Sequence, residues 1–272
     1  MHSTASDGAL APAAVVAAAH AAQLAAICLT DHDSVSGVAE ARAAGDAVGL
    51  TVAAGAELSA HHETREIHLL GLHLSRLDVM ERHLTGFRAA RDARGEAIVA
   101  QLNTIGVPVT IESVRTQAAG GALGRPHVAR ALIAGGWVGS VREAFDRYLG
   151  AGRPGYADKE RLEIGHAIDI IHDAGGVAIF AHPGPDGRRE KIEPLVALGL
   201  DGIEVKHPSH SAEDTARLGA LTEFFGMVPS GGSDWHGLLN GARQIGGMQV
   251  PWEWFERQLA RAESHRGART SA

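Results

Sequence analysis

Histidines and acids stand where the apolar runs of this chain end, and that placement constrains its fold more than any other feature. His32 closes the run 25–30, Glu57 follows 50–54, and His68 lies inside 66–72. His182 closes 177–181, and Asp234 and His236 follow 227–231. Strand-end residues from several strands converge on one face of an α/β barrel, the face where such folds keep their chemistry. With His2 and Asp7 at the start, the set mixes hard oxygen and borderline nitrogen donors. That mixture suits Zn, Mn or Fe, and one carboxylate can bridge two ions. The pattern points to a multinuclear metal hydrolase.

The rest of the chain has the rhythm such a barrel needs. Pro12 opens a helix carrying Val15, Val16 and Ala19 on one face, packed against a sheet. A second helix opens at Ser34 or Ser36 and closes near Gly49. Strand and helix alternate, which implies parallel strands joined by right-handed crossovers. From 75 to 156 the texture changes. Arg82, Arg88, Arg91 and Arg94 stud an apolar helical pattern that stops at Gly106 and Pro108, and shorter helical patterns follow at 111–118, 126–135 and 141–149. This predicts an all-helical insertion, with those arginines mainly a solvated face and secondarily a guide for phosphate or RNA. After Gly155 the alternation resumes: a helix over 162–174 stopped by Gly175-Gly176, helices near 191–198 and 212–225, a strand at 202–205, and a closing helix over 252–262. The polar tail from Glu263 is expected to fray. The predicted division is a first barrel part at 1–74, the insertion at 75–156 and a second barrel part at 157–272.

Bulk properties narrow the partners. The 272 residues suffice for one large α/β domain with an insertion. Lys and Arg number 25 against 32 Asp and Glu, so the net charge of −7 argues against a nucleic-acid-coating surface and against stable duplex DNA binding. Bound divalent cations would reverse that sign locally, which keeps an anionic substrate compatible. The single Cys28 rules out an internal disulfide and fits a reducing, cytoplasmic setting. Its place inside an apolar strand makes it a packing residue. No stretch approaches the roughly 18 apolar residues of a membrane span. Residues 10–26 carry Pro12, His20 and Gln23 without a basic leader, and read as a helix rather than a signal peptide.

Each motif has a structural reading beside the chemical one. His2-Ser-Thr-Ala-Ser-Asp7-Gly8 puts an imidazole and a carboxylate on one short loop, although Asp-Gly is first a turn signal. In Thr30-Asp31-His32-Asp33 a helix cap needs one Asp only, so His32 reads as a ligand with Asp31 or Asp33 orienting an imidazole. Glu57 ends a buried apolar run, which is costly unless the carboxylate is paired or metal-bound. Ala181-His182-Pro183 and Gly232-Ser233-Asp234-Trp235-His236 are the most specific pieces, the latter placing two ligands at i and i+2 after a strand.

In their order and spacing these segments resemble the PHP (polymerase and histidinol phosphatase) superfamily of metal-dependent phosphoesterases. The resemblance is to its branch of nucleoside 3′,5′-bisphosphate phosphatases and 5′-to-3′ RNA-trimming enzymes. It rests also on Gly55-Ala-Glu-Leu-Ser-Ala60, Ile67-His-Leu-Leu-Gly71, Gly124-Arg-Pro-His127, Ala144-Phe-Asp-Arg-Tyr-Leu149 and Ala174-Gly-Gly-Val-Ala-Ile179, and covers nearly the whole chain. The resemblance implies a distorted seven-stranded (β/α) barrel, TIM-like, with a helical insertion. It also implies two or three divalent ions, manganese foremost with zinc or iron as alternatives, held by His2, Asp7, His32, Glu57, His68, His182, Asp234 and His236, with Glu57 as the bridge. The family opens with Asp-Leu-His-x-His, whereas this sequence begins Met1-His2. By that pattern His2 is the second histidine, and the first histidine and most of strand one are absent, as a late-assigned or truncated start would leave them.

Arg125 and His127 flank Pro126, which also suits a helix start; Arg can grip phosphate oxygens and His can protonate a leaving alkoxide. Lys206, His207 and His210 follow a strand and can meet a second phosphate, or be ordinary surface charge. The expected reaction is metal-dependent hydrolysis of phosphate from small nucleotides such as nucleoside 3′,5′-bisphosphates, or at the 5′ ends of short RNA. Other PHP phosphatases, such as one for histidinol phosphate, and a metal-binding pseudoenzyme with a regulatory role are the alternatives. No Gly-x-Ser-x-Gly elbow or P-loop is present to support nucleophilic-serine or P-loop chemistry.

Overall fold

The computed structural model describes residues 1–118, 123–157, 161–237 and 243–270. These form two compact units, Met1–Glu81 with Leu162–Ala272 and, separately, Arg82–Arg161.

The first unit is built on a six-stranded sheet in the order β1 (Ala26–Leu29), β2 (Thr51–His62), β3 (Arg65–Leu72), β4 (Val177–Phe180), β5 (Gly202–Lys206) and β6 (Val228–Gly231). β1 pairs parallel with β2, and β4, β5 and β6 run parallel to one another. The all-parallel expectation fails at β3, which is antiparallel to both neighbours. The cause is local: β2 runs on past Glu57 to His62 and turns through Glu63, at a left-handed φ of 56°, straight into β3. So short a connection can join only antiparallel strands. Six strands, not seven, are found among the described residues, and β1 and β6 are the sheet's edges. The first two residues bridge those edges: Thr30 N–H donates to Met1 O (2.9 Å) and His2 N–H donates to Trp235 O (2.9 Å). Between the edges lies a cavity of about 310 Å³ lined by Leu24–Cys28, Ser230–Asp234, Leu70, Leu72 and Phe255. Cys28 lines it too, its thiol pushed up to about 11 by burial and so unreactive at neutral pH.

Helices α1 (Pro12–Ala21), α2 (Val38–Val48), α7 (Ile164–Asp173), α8 (Arg189–Ala197), α9 (Ala212–Phe224) and α10 (Trp252–Thr270) complete this unit. α2 starts after Gly37 rather than at a serine cap, because the Ser34 and Ser36 hydroxyls bond each other (2.9 Å). α10 continues eight residues past the expected end at 262. The start of its polar tail is tied down instead of fraying: Arg266 donates to the carbonyls of Gly175 and His73, and His265 bonds Asp201, while residues 271–272 lie outside the described residues. The core comprises Leu70, Leu72, Val177, Ile179, Ala181 and Val228 on the sheet, and Val15, Val16, Ala19, Leu29 and Leu50 under α1 and α2.

The second unit is helical. It holds most of α3 (Leu77–Thr104), with α4 (Ile111–Ala118), α5 (Arg125–Ala134) and α6 (Val141–Ala144), the last passing into a π-helical turn at Phe145–Leu149. Ile98, Leu102, Val114, Val128, Leu132 and Leu149 form its own core. Of the four arginines predicted to face solvent, Arg94 instead donates to Ala157 O (2.8 Å), and the side chains of Arg88 and Arg91 lie outside the described residues.

Candidate metal centre

Backbone pairing sets the ligands side by side. The β1–β2 ladder is prolonged by a bridge between His32 and Glu57, with Glu57 N–H donating to Asp31 O (3.1 Å) and Asp33 N–H to Glu57 O (2.9 Å). Across the hairpin His68 pairs with Ser59, two residues beyond Glu57 and therefore on the same face of β2. His182 follows β4, and Asp234 and His236 follow β6. His182 (φ 33°) and Asp234 (φ 46°) leave their strands in the left-handed region. Such a conformation costs a non-glycine residue on the order of 1–3 kcal/mol and persists where the surroundings enforce it, as at functional sites.

The His2–Asp7 loop is held from below by Asp31, whose carboxylate accepts from Ser3 N–H (2.6 Å), Ser3 Oγ (2.8 Å) and Ser6 Oγ (2.7 Å). Asp31 thus anchors a loop, rather than orienting an imidazole as its place beside His32 suggested. Gly8 closes the same loop through N–H donation to Ser3 O, and a Cβ there would fall 2.5 Å from the His2 carbonyl.

The structure brings all eight expected ligands together. Glu57, almost fully buried, is the hub: its Oε1 lies 2.7 Å from His68 Nδ1 and 3.2 Å from His182 Nε2, and its Oε2 lies 3.2 Å from His2 Nε2. Asp234 Oδ1 is 3.0 Å from His2 Nε2, and Asp7 Oδ1 is 3.6 Å from His2 Nδ1 and 3.5 Å from His236 Nε2. His32 stands over His2 and His68, with ring centroids at 4.7 and 5.3 Å. Burial alone would raise Glu57, yet the imidazoles of His182, His2 and His68 hold its carboxyl far below the usual range. Asp234 is likewise depressed, against burial, by His2 and His207. Burial opposes protonation of His2 and His182, but their carboxylate partners raise both. His32, with burial dominant, is lowered.

This donor set fits divalent ions. Three overlapping groups, His2–Asp7–His32–His236, His32–Glu57–His68 and His2–Glu57–Asp234, each keep their donor atoms within 4.8 Å of one another. Buried His2 Nδ1 has no hydrogen-bond partner among the described residues, and His68 Nδ1 meets only the Glu57 carboxylate. Buried ring nitrogens normally find partners, and one that faces a cluster of carboxylates without a hydrogen bond suits a cation.

Two further residues back the ligands. Glu204, buried on β5 with its carboxyl raised by burial, accepts from His182 N–H (2.7 Å). A lone acid inside the apolar run 202–205 was its one signal. His207 accepts from Ser209 N–H on Nδ1 (3.2 Å), so its Nε2 carries the proton toward Asp234 Oδ2, 3.5 Å away.

The expected substrate contacts are differently engaged. His210 has both ring nitrogens committed to backbone, Nδ1 to Val205 O and Nε2 to Gly184 N–H, which leaves neither for a phosphate. Lys206 Nζ donates to Gln249 O (2.8 Å) and lies over the Trp254 ring. In the second unit Arg125 opens α5, with its guanidinium between the Phe145 and Tyr156 rings and 3.4 Å from Leu149 O. His127 Nδ1 accepts from Gly124 N–H (3.0 Å), which closes the helix start and leaves Nε2–H to donate elsewhere.

The PHP domain model matches residues 1–150. A 5′-3′ exoribonuclease from Haemophilus influenzae is 35% identical over 241 residues, covering 86% of this chain and 88% of that protein. A 3′,5′-nucleoside bisphosphate phosphatase from Chromobacterium violaceum is 34% identical over 252 residues, covering 90% and 88%. A solved structure from Bifidobacterium adolescentis, assigned as a metal-dependent phosphoesterase, matches with a TM-score of 0.73 at 29% identity, covering 96% of this chain and 94% of that one.

Proposed function

This chain belongs to the PHP domain family, and from that premise we propose that it removes phosphate from small nucleotides, nucleoside 3′,5′-bisphosphates foremost. It is a metal-dependent phosphoric ester hydrolase. The observation that carries the reading is Glu57, one buried carboxylate shared by three imidazoles at the centre of overlapping donor groups. The similarity to a bisphosphate phosphatase along most of both chains supports the substrate class.

His2, Asp7, His32, Glu57, His68, His182, Asp234 and His236 would hold two or three divalent ions, with manganese the proposed metal. Such ions neutralise phosphoryl charge and acidify water to near-neutral pKa. The protein's own share is to fix the ligands. Glu57 gathers three of the histidines, Asp31 holds the His2–Asp7 loop, and Glu204 and His207 fix His182 and Asp234. Arg125 and His127 are proposed to bind the nucleotide's phosphate, His127 through its free Nε2–H. His210 is not part of the proposed site, and Lys206 remains a phosphate contact only if it leaves Gln249.

A second reading, trimming of short RNA from the 5′ end, is favoured by the similarity to an exoribonuclease. A panel of adenosine 3′,5′-bisphosphate, a 5′-phosphorylated RNA pentamer and histidinol phosphate, each with Mn²⁺, separates these. Highest kcat/KM on the bisphosphate supports the first reading, and progressive release of mononucleotides from the pentamer the second. Preference for histidinol phosphate would refute both.

A further inference from the structure

The cation best placed to meet a phosphoryl group is one that sequence patterning did not single out. Arg243 Nη1 lies 2.7 Å from Asp234 Oδ2 and 3.4 Å from His236 Nδ1, while the side chain is half exposed. It therefore reaches from solvent onto two proposed metal ligands that belong to adjoining donor groups, His236 with His2, Asp7 and His32, and Asp234 with His2 and Glu57. Among the described residues after β5, Lys206 is engaged on Gln249 O, His210 on two backbone groups and His207 between Ser209 and Asp234.

We propose that Arg243 is a phosphate-binding residue of this centre, gripping the phosphoryl group that the divalent ions also bind. Building on the phosphoesterase reading above, it adds the residue that recognises the anion. The physical case is charge balance. A guanidinium and a divalent ion that both lean on the Asp234 carboxylate repel each other at close range. A phosphoryl group, with several anionic oxygens, can accept from the guanidinium and face the ions at once, which turns that repulsion into two attractions. Arginine's planar fork suits this geometry, whereas a lysine offers only a point charge.

The test uses the full chain and its Arg243→Met and Arg243→Lys variants. Three quantities are read: Mn²⁺ affinity of chelator-stripped protein, binding of inorganic phosphate to Mn²⁺-loaded protein by calorimetry, and kcat/KM on adenosine 3′,5′-bisphosphate. For Arg243→Met, Mn²⁺ should bind as tightly as before or more tightly, since a competing cation has left Asp234. Phosphate affinity and kcat/KM should both fall about 10- to 100-fold, the scale of one lost charge-assisted hydrogen bond. Arg243→Lys should fall between the two. Phosphate affinity unchanged within twofold in both variants would overturn the proposal. So would parallel losses of Mn²⁺ and phosphate binding, which mark a strut rather than a ligand contact. If the parent protein releases no phosphate from any phosphoester, the phosphoesterase reading has failed, and the calorimetric comparison still decides the role of Arg243.

Discussion

Two clusters of histidines and carboxylates occupy opposite ends of the strands in the same unit. On the side where β4 and β6 end, Glu57, Asp7 and Asp234 are each approached by two or more imidazoles, and the buried His2 Nδ1 has no hydrogen-bond partner among the described residues. Where β4 and β5 begin, His172 and His265 stack at 4.1 Å, and each bonds one oxygen of Asp201 at 2.7 Å. The Ala178 N–H and the Arg261 guanidinium complete that carboxylate's shell. Both clusters join imidazoles to carboxylates, and the donor spacing alone would admit a cation at either end. What differs is satisfaction. Asp201 is saturated by N–H donors and pins α10 to the sheet, whereas in the upper cluster the buried His2 Nδ1 has no hydrogen-bond partner among the described residues.

The comparison can be broken most directly at the two carboxylates. Glu57→Gln keeps the shape but cannot gather three imidazoles as an anion; Mn²⁺ binding should collapse and kcat/KM fall about 10³-fold, on the scale of losing a central charge-stabilising group. Asp201→Asn should do the converse. Stability measured by urea unfolding should drop by about 3–5 kcal/mol, as when one partner of a buried ion pair is removed. Metal content and activity per folded molecule should hold. If Asp201→Asn also strips the metal, the proposed division of labour is wrong.

A third prediction sharpens the contrast through pH. His73, beside α10 and packed edge-on against Phe255, is lowered to about 4, chiefly by burial. The unfolded chain, near 6.5, then takes up the proton first as pH falls. Stability is full above about 6.5 and is lost between 6.5 and 4, by up to about 3 kcal/mol. Unfolding free energies at pH 7.5 and 5 should differ less in His73→Asn, which also tolerates the left-handed φ of 57°. An unchanged difference would remove His73 from the account. The smallest effect is expected at His207→Gln: about a tenfold loss of Mn²⁺ affinity with little change in melting temperature, as for groups that orient a ligand from behind.

Much of this was legible in the residues. An acid or histidine that interrupts or ends an apolar run is conspicuous because burial penalises it, and His32, Glu57, His68, His182, Asp234 and His236 stood out on that ground, while the full set of eight with His2 and Asp7 came from the resemblance. Strand direction was not legible, because the hairpin at Glu63 carries no Asn-Gly or Asp-Gly signal. The length of α10 was hidden for a related reason: its last turns are held by His265 and Arg266 bonding groups some 60 to 190 residues away in sequence. Arg243 gave no signal at all, since a lone arginine in a glycine-rich stretch has no pattern. His210 misled in the opposite direction, because position after a strand does not reveal that both ring nitrogens are spent on backbone.

The most direct test of the central claim is phosphate release from adenosine 3′,5′-bisphosphate by chelator-stripped protein, before and after Mn²⁺ is restored, with Glu57→Gln and Asp201→Asn beside the parent. The account predicts release only with Mn²⁺, retained by Asp201→Asn and abolished by Glu57→Gln. Release that survives chelation, or that Glu57→Gln leaves intact, would contradict it.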